Sequence, residues 1–440
     1  MMLFLYFFFI FFFLNFMEKE ENIYINIYPP SLNYIRNNKK EIYDITNEIK
    51  IKTQPEEILN DLSNKYSNNT NLNNLINKFS DKIKIGFQKL ISATTTKPNA
   101  RYHLEKTFQC HELPITKIQF NKKGDKFITS SYDAKAILWD RYKGNAIMEY
   151  TSHTNVVNSI KFNNNEDKIL TGSFDETAKL YNVSDGKCIN TYENNSEVIE
   201  CIFNNDNSNI ATCLMGNCSK VFDTETNKNI LNLLGHEKEV IKISYNEDNT
   251  KLLTGSYDTT AKIYDSKTGE KIFDLKEHNL EITSCYFRNK DNNYIITTSM
   301  DKKCKIWDIR KINNSIKTFT EHNGEILCSN IDNSGKYLVT GGSDSICYLY
   351  NLDELKIIKK LEGHLKEIYS LCFDLKSDYI LSGSADGNCI LFNVQNGKCE
   401  EILEGNEGEI ISAIFNYNSN DILISNVDNF IKLYTNIIII

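Results

Sequence analysis

Over its last three quarters the chain alternates short hydrophobic runs with clusters of Asn, Asp, Gly and Ser. In one unit these runs are Val240–Tyr245, Lys251–Thr254, Ala261–Tyr264 and Lys271–Leu275. Short apolar runs separated by turn-forming residues are typical of β-strands joined by tight turns. The unit recurs every 41 to 43 residues, which is the length of a four-stranded propeller blade.

Histidine and aspartate mark the same period. Six of the seven histidines precede an Asp by 22 or 23 residues, and an aromatic residue follows each Asp six positions later. The pairs are His111 and Asp133, His153 and Asp175, His236 and Asp258, His278 and Asp301, His322 and Asp344, and His364 and Asp386. Two degenerate units, one with Asn194 and Gly216 and one with Asn406 and Asp428, bring the number of repeats to eight.

These residues resemble the WD-repeat family, as do Leu234-Gly235-His236 and Ile306-Trp307-Asp308. The resemblance implies an all-β fold, an eight-bladed WD-repeat β-propeller over residues 102–440. It also implies that each blade is fixed by a buried hydrogen-bonded chain of His, Ser or Thr, Asp and Trp. The full set is expected in the first repeat (His111, Ser131, Asp133, Trp139) and the fifth (His278, Ser299, Asp301, Trp307). We expect the third repeat, which lacks both His and Asp, to be the least rigid.

A His near an Asp also suits general-base catalysis. Six equivalent copies favour a structural network instead, because an enzyme needs its active site once. The sequence contains no Gly-rich phosphate loop, nucleophile elbow or cluster of metal ligands. Its twelve cysteines lie mostly singly in apolar runs, which favours buried thiols in a reducing compartment over zinc or disulfides. We therefore predict that the protein is not an enzyme and has no catalytic residue, cofactor or metal.

Composition and charge restrict the classes of molecule that could be partners. The chain is 41% hydrophobic and 25% charged, as in ordinary globular proteins, and its net charge is 50 − 58 = −8. An acidic chain is a poor candidate for nucleic-acid binding, which needs a cationic surface. We expect protein partners, no nucleic acid, no small-molecule substrate, and a monomer.

The ring needs a closing strand. The last repeat ends soon after Tyr434, in its third strand. An open sheet edge invites aggregation. The run Tyr102–Phe108 precedes the first repeat and has no blade of its own, so we predict that it pairs with the eighth blade.

Residues 1–16 are almost wholly apolar but shorter than the ~20 residues of a membrane-spanning helix. Three interpretations stay open. Translation starts at Met17 and the leader is not part of the working protein, or the leader is a membrane anchor or uncleaved signal, or it is a docked apolar arm.

The sequence pattern over residues 17–101 predicts a small α+β domain. Ile23–Tyr28 is typical of a strand, and Thr53-x-x-Glu56 is a capping box that opens a helix. A second apolar stripe at helical spacing runs from Leu72 to Leu90. This second helix either packs on the propeller or binds a partner.

The Tyr28-Pro29-Pro30 segment, two helices and eight repeats are together similar to WD-repeat adaptors that link outer-arm axonemal dyneins to intraflagellar transport. The resemblance implies a scaffold that binds axonemal dynein chains and intraflagellar transport subunits, in the cytoplasm and at the cilium or flagellum or its base. Two alternatives stay open. Trp307-Asp308-Ile309-Arg310 resembles the motif of cullin-type ubiquitin ligase substrate receptors, and a general WD-repeat scaffold is the other.

A partner surface is predicted at one rim of the ring. Six consecutive repeats carry glutamate three positions past the His slot: Glu197, Glu239, Glu281, Glu325, Glu367 and Glu409. They predict an acidic arc around the central channel, unless each glutamate bonds to the backbone of its own blade. The residue before the Asp slot is large in the first five repeats: Tyr132, Phe174, Met215, Tyr257 and Met300. We expect a partner segment with basic and apolar residues to dock there.

Overall fold

The computed structural model describes residues 101–109, 111–311, 314–403 and 408–436. The apolar leader and nearly all of the predicted N-terminal domain, with its strand and two helices, lie outside these residues. The domain boundaries at residues 16 and 101 therefore stay predictions. In the part of the chain that the structure describes, no helix is long and apolar enough to cross a membrane.

Thirty-two strands make up the described structure. Blade 1 contains β2 (Ile115–Phe120), β3 (Lys126–Ser131), β4 (Ala136–Asp140) and β5 (Ala146–Tyr150), and blade 2 contains β6 (Val157–Phe162), β7 (Lys168–Ser173), β8 (Thr177–Asn182) and β9 (Cys188–Glu193). Blade 3 contains β10 (Val198–Phe203), β11 (Asn209–Leu214), β12 (Ser219–Asp223) and β13 (Asn229–Leu233). Blade 4 contains β14 (Val240–Tyr245), β15 (Lys251–Ser256), β16 (Ala261–Asp265) and β17 (Lys271–Leu275). In blade 4 two strands are longer than predicted, because Gly255 pairs with Ala261 and Lys251 with Asp265.

The remaining blades repeat this order. Blade 5 contains β18 (Ile282–Phe287), β19 (Tyr294–Ser299), β20 (Cys304–Asp308) and β21 (Lys317–Phe319), and blade 6 contains β22 (Ile326–Ile331), β23 (Tyr337–Gly342), β24 (Cys347–Asn351) and β25 (Lys356–Leu361). Blade 7 contains β26 (Ile368–Phe373), β27 (Tyr379–Ser384), β28 (Cys389–Asn393) and β29 (Cys399–Leu403). Blade 8 contains β30 (Ile410–Phe415), β31 (Asp421–Asn426) and β32 (Ile431–Asn436), together with β1 (Tyr102–Phe108).

The strands form eight separate four-stranded sheets, each an antiparallel meander. The first strand of each blade contacts the first strands of both neighbouring blades, so these eight strands surround the central axis. The prediction of an eight-bladed propeller is confirmed. Each blade also has a register shift near the start of its first strand, as between Ile115 and Lys117, where a bulge strengthens the local twist.

The ring closes as predicted. β1 pairs antiparallel with β32, from Tyr102 opposite Asn436 to Phe108 opposite Ile431. The N-terminal strand thus becomes the fourth strand of blade 8. This pairing covers the edge that β32 would otherwise expose.

The hydrophobic core lies between blades. One cluster packs Leu170 and Leu180 of blade 2 against Val198 and Phe222 of blade 3, and the other described clusters likewise join neighbouring blades. Both faces of each sheet are covered in this way. That explains why the second strands are buried almost throughout, as β15 is from Leu252 to Ser256.

Candidate functional site

One face of the ring carries the loops that hold the repeated His and Asp. Because each blade is an antiparallel meander, the loop from its second to its third strand lies on the same face as the loop that connects it to the preceding blade. We call this the upper face. The loops between first and second strands, and between third and fourth strands, lie on the opposite face.

On the upper face, each of the six histidines joins an Asp to a strand hydroxyl. The distances from His Nδ1 to the Asp carboxylate are 2.7 to 3.0 Å, in the pairs His111–Asp133, His153–Asp175, His236–Asp258, His278–Asp301, His322–Asp344 and His364–Asp386. The Nε2 atoms lie 2.7 to 2.9 Å from the hydroxyls of Thr129, Thr171, Thr254, Thr297, Thr340 and Ser382. Both ring nitrogens are thus engaged inside the protein, as a structural role requires.

The predicted serines need a correction. Thr129, and not Ser131, connects His111 to Trp139, whose Nε1 donates to Thr129 Oγ1 across 3.1 Å. Ser131 instead donates to the Leu113 carbonyl and accepts from the backbone N–H of Asp133. Its position at the last residue of β3 places it beside the turn and away from the indole.

The fifth blade repeats this arrangement. Thr297 lies between His278 and Trp307, at 2.9 Å from each, while Ser299 donates to the Leu280 carbonyl. A signal for the threonines was present in the sequence. A hydroxyl residue stands 18 or 19 positions after each of the six histidines.

Burial and hydrogen bonding have opposite effects on the pKa values of the aspartates in this network. Burial raises the pKa of Asp133, but hydrogen bonds from His111 and from the Glu112 N–H outweigh it and hold the pKa below its usual value. The pKa of the corresponding acid is also lowered in the other five blades. Burial is the largest influence on His153 and His236 and lowers their pKa.

The third blade lacks this chain but retains one of its contacts. The Asn194 amide oxygen accepts a hydrogen bond from the Thr212 hydroxyl at 2.9 Å. Gly216 stands where the other blades have Asp, so no carboxylate joins the two loops. The expectation that this blade is the least rigid stays a prediction.

The two predicted docking features lie side by side. In every blade the backbone carbonyl of the residue in the Glu slot accepts the N–H of the residue before the Asp slot. The pairs that include a predicted glutamate are Met215 with Glu197, Tyr257 with Glu239, Met300 with Glu281, Ser343 with Glu325, Ala385 with Glu367 and Val427 with Glu409. In the first two blades Tyr132 pairs with Pro114 and Phe174 with Val156.

All six glutamates of the predicted acidic arc are at least partly accessible to solvent. Glu325 and Glu409 are exposed, and the other four glutamates are partly buried. Ser196 donates to the Glu197 carboxylate at 3.0 Å. No other carboxylate of the arc has a hydrogen-bond or ion-pair partner within the described ranges, so none bonds to its own blade there. Tyr257 has a raised pKa, first through burial and then through the charges of Glu239 and Glu281.

Large side chains share this face. Tyr132 and Met215 are 49% and 43% exposed, whereas Phe174, Tyr257 and Met300 are partly buried. Four further exposed apolar side chains in the same loops and at the adjoining strand ends were not predicted: Leu113, Leu234, Leu280 and Tyr369. Two of them, Leu113 and Leu280, stand two positions after a His.

Arg310 of the Trp-Asp-x-Arg motif lies on the opposite face. Its guanidinium forms two hydrogen bonds with Asp308, at 2.8 and 2.7 Å. It also donates to the Tyr294 hydroxyl at 3.2 Å. The side chain is just over half exposed, and its partners belong to its own blade.

The sequence matches a protein-family model described as the IFT122 first beta-propeller, over residues 98–345 and again over residues 197–437. The chain belongs to this family. The match covers the whole described ring and accords with the WD-repeat pattern of the sequence.

Curated relatives are similar over a shorter stretch. Proteins named "Dynein assembly factor with WD repeat domains 1" are 35% identical over 77 residues in Danio rerio and 37% in Homo sapiens. The Xenopus laevis protein is 40% identical over 57 residues. For the Danio protein the match covers 18% of this chain and 19% of the relative, so it spans less than a fifth of that relative's length.

A solved structure supports the fold alone. The crystal structure of the computationally designed Ika8 protein has a TM-score of 0.67 at 21% identity. The alignment covers 74% of this chain and 97% of the designed protein.

Proposed function

We propose that this protein is a non-enzymatic scaffold that serves the assembly and transport of axonemal outer-arm dynein in cilia or flagella. The names of the curated relatives and the family of the propeller support this proposal. The partners would be axonemal dynein chains and intraflagellar transport subunits. The place of action would be the cytoplasm and the cilium or its base.

The observation that carries the docking role is the backbone hydrogen bond on the upper face. The N–H of Met215, of Tyr257 and of Met300 donates to the backbone carbonyl of Glu197, Glu239 and Glu281, respectively. Blades 3, 4 and 5 therefore each present a carboxylate beside a large side chain. Carboxylates without an internal partner attract cations, and exposed aromatic and Met side chains supply contact area. The surface therefore suits a partner segment that carries basic and apolar residues. A second surface would hold the other partner, so that the scaffold bridges cargo and transport machinery without making or breaking a covalent bond.

The test is affinity purification from flagellum-forming cells with the double variant Glu239→Lys, Glu281→Lys. We expect dynein heavy and intermediate chains with the wild type and at least a tenfold loss with the variant. The matched control is Glu225→Lys, Glu270→Lys, which makes the same charge change in turns on the opposite face of blades 3 and 4. Equal recovery of dynein chains by both variants would contradict the docking surface, and absence of dynein from the wild type would contradict the function.

The ligase-receptor alternative depends on Arg310. In the structure Asp308 already binds this guanidinium through both oxygens. An acidic group of a ligase adaptor would therefore have to compete with Asp308 for Arg310. We therefore favour the dynein scaffold. Arg310→Ala separates the two, because it would abolish ligase-adaptor pairing and leave dynein binding intact.

A further inference from the structure

The central channel carries an uneven charge. Among the first strands of the eight blades, which surround the axis, the charged residues are Lys117 on β2, Lys161 on β6, Glu200 on β10 and Lys242 on β14. They belong to four consecutive blades. With three ammonium groups and one carboxylate, the sum is 3 − 1 = +2, in a chain whose net charge is −8.

Two of the lysines converge on one carboxylate oxygen. Lys242 Nζ lies 2.7 Å and Lys117 Nζ 3.3 Å from Glu200 Oε1. Lys117 is on blade 1 and Glu200 on blade 3, so this contact reaches past blade 2. The side chains therefore extend toward the axis and meet there.

The other carboxylate oxygen has no partner. Glu200 is only 3% exposed, and its Oε2 is buried without a hydrogen bond. The hydroxyl of Ser244, two residues after Lys242 on β14, is also buried without a hydrogen bond. Unpaired buried polar atoms cost free energy, and an ionised carboxylate oxygen accepts hydrogen bonds but cannot donate one.

The third lysine, Lys161, has no partner among the described residues that pairs directly with its charge. Lys161 has no hydrogen bond or ion pair to any described residue, although Glu200 and the other two lysines act on it electrostatically. Burial, and then the positive charge of Lys117, lower the pKa of Lys161 to about 8. By contrast, the Glu200 carboxylate outweighs burial and raises the pKa of Lys242.

We propose that the channel at blades 1 to 4 binds a small phosphate-class anion that also carries a hydroxyl donor. Lys117, Lys161 and Lys242 would neutralise the phosphate charge, which Lys does as a compact point charge. Glu200 Oε2 would accept the ligand's O–H. Hydrogen phosphate and the partly phosphorylated inositols, which keep free hydroxyl groups, share this chemistry, whereas sulfate at neutral pH has the charge but no O–H. This site is separate from the upper-face docking surface and goes beyond the proposed scaffold role.

The test is calorimetric titration of the full chain at pH 7.5 with sodium phosphate, sodium sulfate and inositol 1,4,5-trisphosphate, which keeps free hydroxyl groups, at matched ionic strength. We expect saturable binding of at least one phosphate ligand and at least tenfold weaker binding of sulfate. Comparing the affinities of the two phosphate ligands shows whether the site prefers inorganic phosphate or an inositol phosphate. No saturable binding of either, or equal binding of sulfate, would overturn the proposal.

Two variants locate the site. Lys161→Met is expected to weaken phosphate binding at least tenfold and to fold well, because Lys161 has no ion-pair partner to lose. Lys187→Met, in an exposed turn of the same blade, is the matched control and should bind like wild type. Glu200→Gln should reduce the preference for phosphate over sulfate. Wild-type binding by Lys161→Met would place the ligand elsewhere and refute this site.

Discussion

The indole Nε1 of Trp139 donates a hydrogen bond to Thr129 Oγ1 across 3.1 Å. The same oxygen lies 2.8 Å from His111 Nε2. One buried hydroxyl thus joins the third strand of blade 1 to the loop that leads into its first strand. His111 continues the chain to Asp133, 2.9 Å away.

Removing that hydroxyl tests the network. Thr129→Val keeps the shape and leaves Trp139 Nε1 and His111 Nε2 unpaired, so we expect the free energy of unfolding to fall by roughly 1–3 kcal/mol. Urea denaturation measures it. Thr154→Val, at an exposed loop position, should change stability by less than ~0.5 kcal/mol. Equal effects of the two variants would show that the threonine is not a structural connection.

Blade 6 departs from the common pattern at Gly342. Five of the other seven blades have serine there, but a Cβ at Gly342 would lie 2.8 Å from the Glu325 carbonyl oxygen and from His322 Nδ1. We therefore expect Gly342→Ser to destabilise the protein by roughly 1–3 kcal/mol through overcrowding, although it restores the repeat consensus. Thermal unfolding measures the change. An unchanged or raised midpoint would contradict the prediction.

A buried ion pair fastens the ends of the ring. Arg141 of blade 1 binds Asp421 of blade 8 through two hydrogen bonds, of 2.9 and 2.6 Å. Asp421→Ala leaves the guanidinium without its main partner, so we expect a loss of roughly 3–5 kcal/mol in urea denaturation. Lys187→Ala breaks an exposed pair with Asp185 and should cost at most ~1 kcal/mol. Similar losses would show that the closure does not depend on this pair.

Acid should destabilise the ring in two stages. Folding lowers the pKa of His153 and His236 below 6.5, so the unfolded chain binds more protons and stability falls as pH drops below about 6.5. The depressed pKa values of acids such as Asp133 add a loss below about pH 4. Urea denaturation at stepped pH measures both stages. His153→Asn with His236→Asn should flatten the first stage, and an unchanged slope would contradict this assignment.

The third blade should exchange backbone hydrogens fastest. Its Asn194 reaches Thr212, but no carboxylate continues the chain. Hydrogen exchange with mass spectrometry should therefore show less protection in β10–β13 than in β14–β17. Asn194→His with Gly216→Asp should raise protection there, since a Cβ at Gly216 meets its nearest neighbour at an ordinary 3.4 Å. Equal protection of the two blades in the wild type would refute the expectation.

The sequence by itself determined the strands, their number and the closing pair. Alternation of apolar runs and turn residues is a local property, so the bounds of β14 and β17 could be predicted directly. The closing partner could be predicted because the strand-like run Tyr102–Phe108 directly precedes the array and has no blade of its own. The repeated His and Asp showed where the loops of one face meet.

Only the tertiary structure decided which atoms meet. Thr129 and Ser131 are both hydroxyl residues in one strand, and the position of Trp139 on the neighbouring strand selects the first. Lys117 and Glu200 are 83 residues apart, and Arg141 and Asp421 are 280 apart. Their contacts arise because eight blades curve into a closed ring around one axis. Such contacts depend on the curvature of the whole ring, which no local pattern of residues encodes.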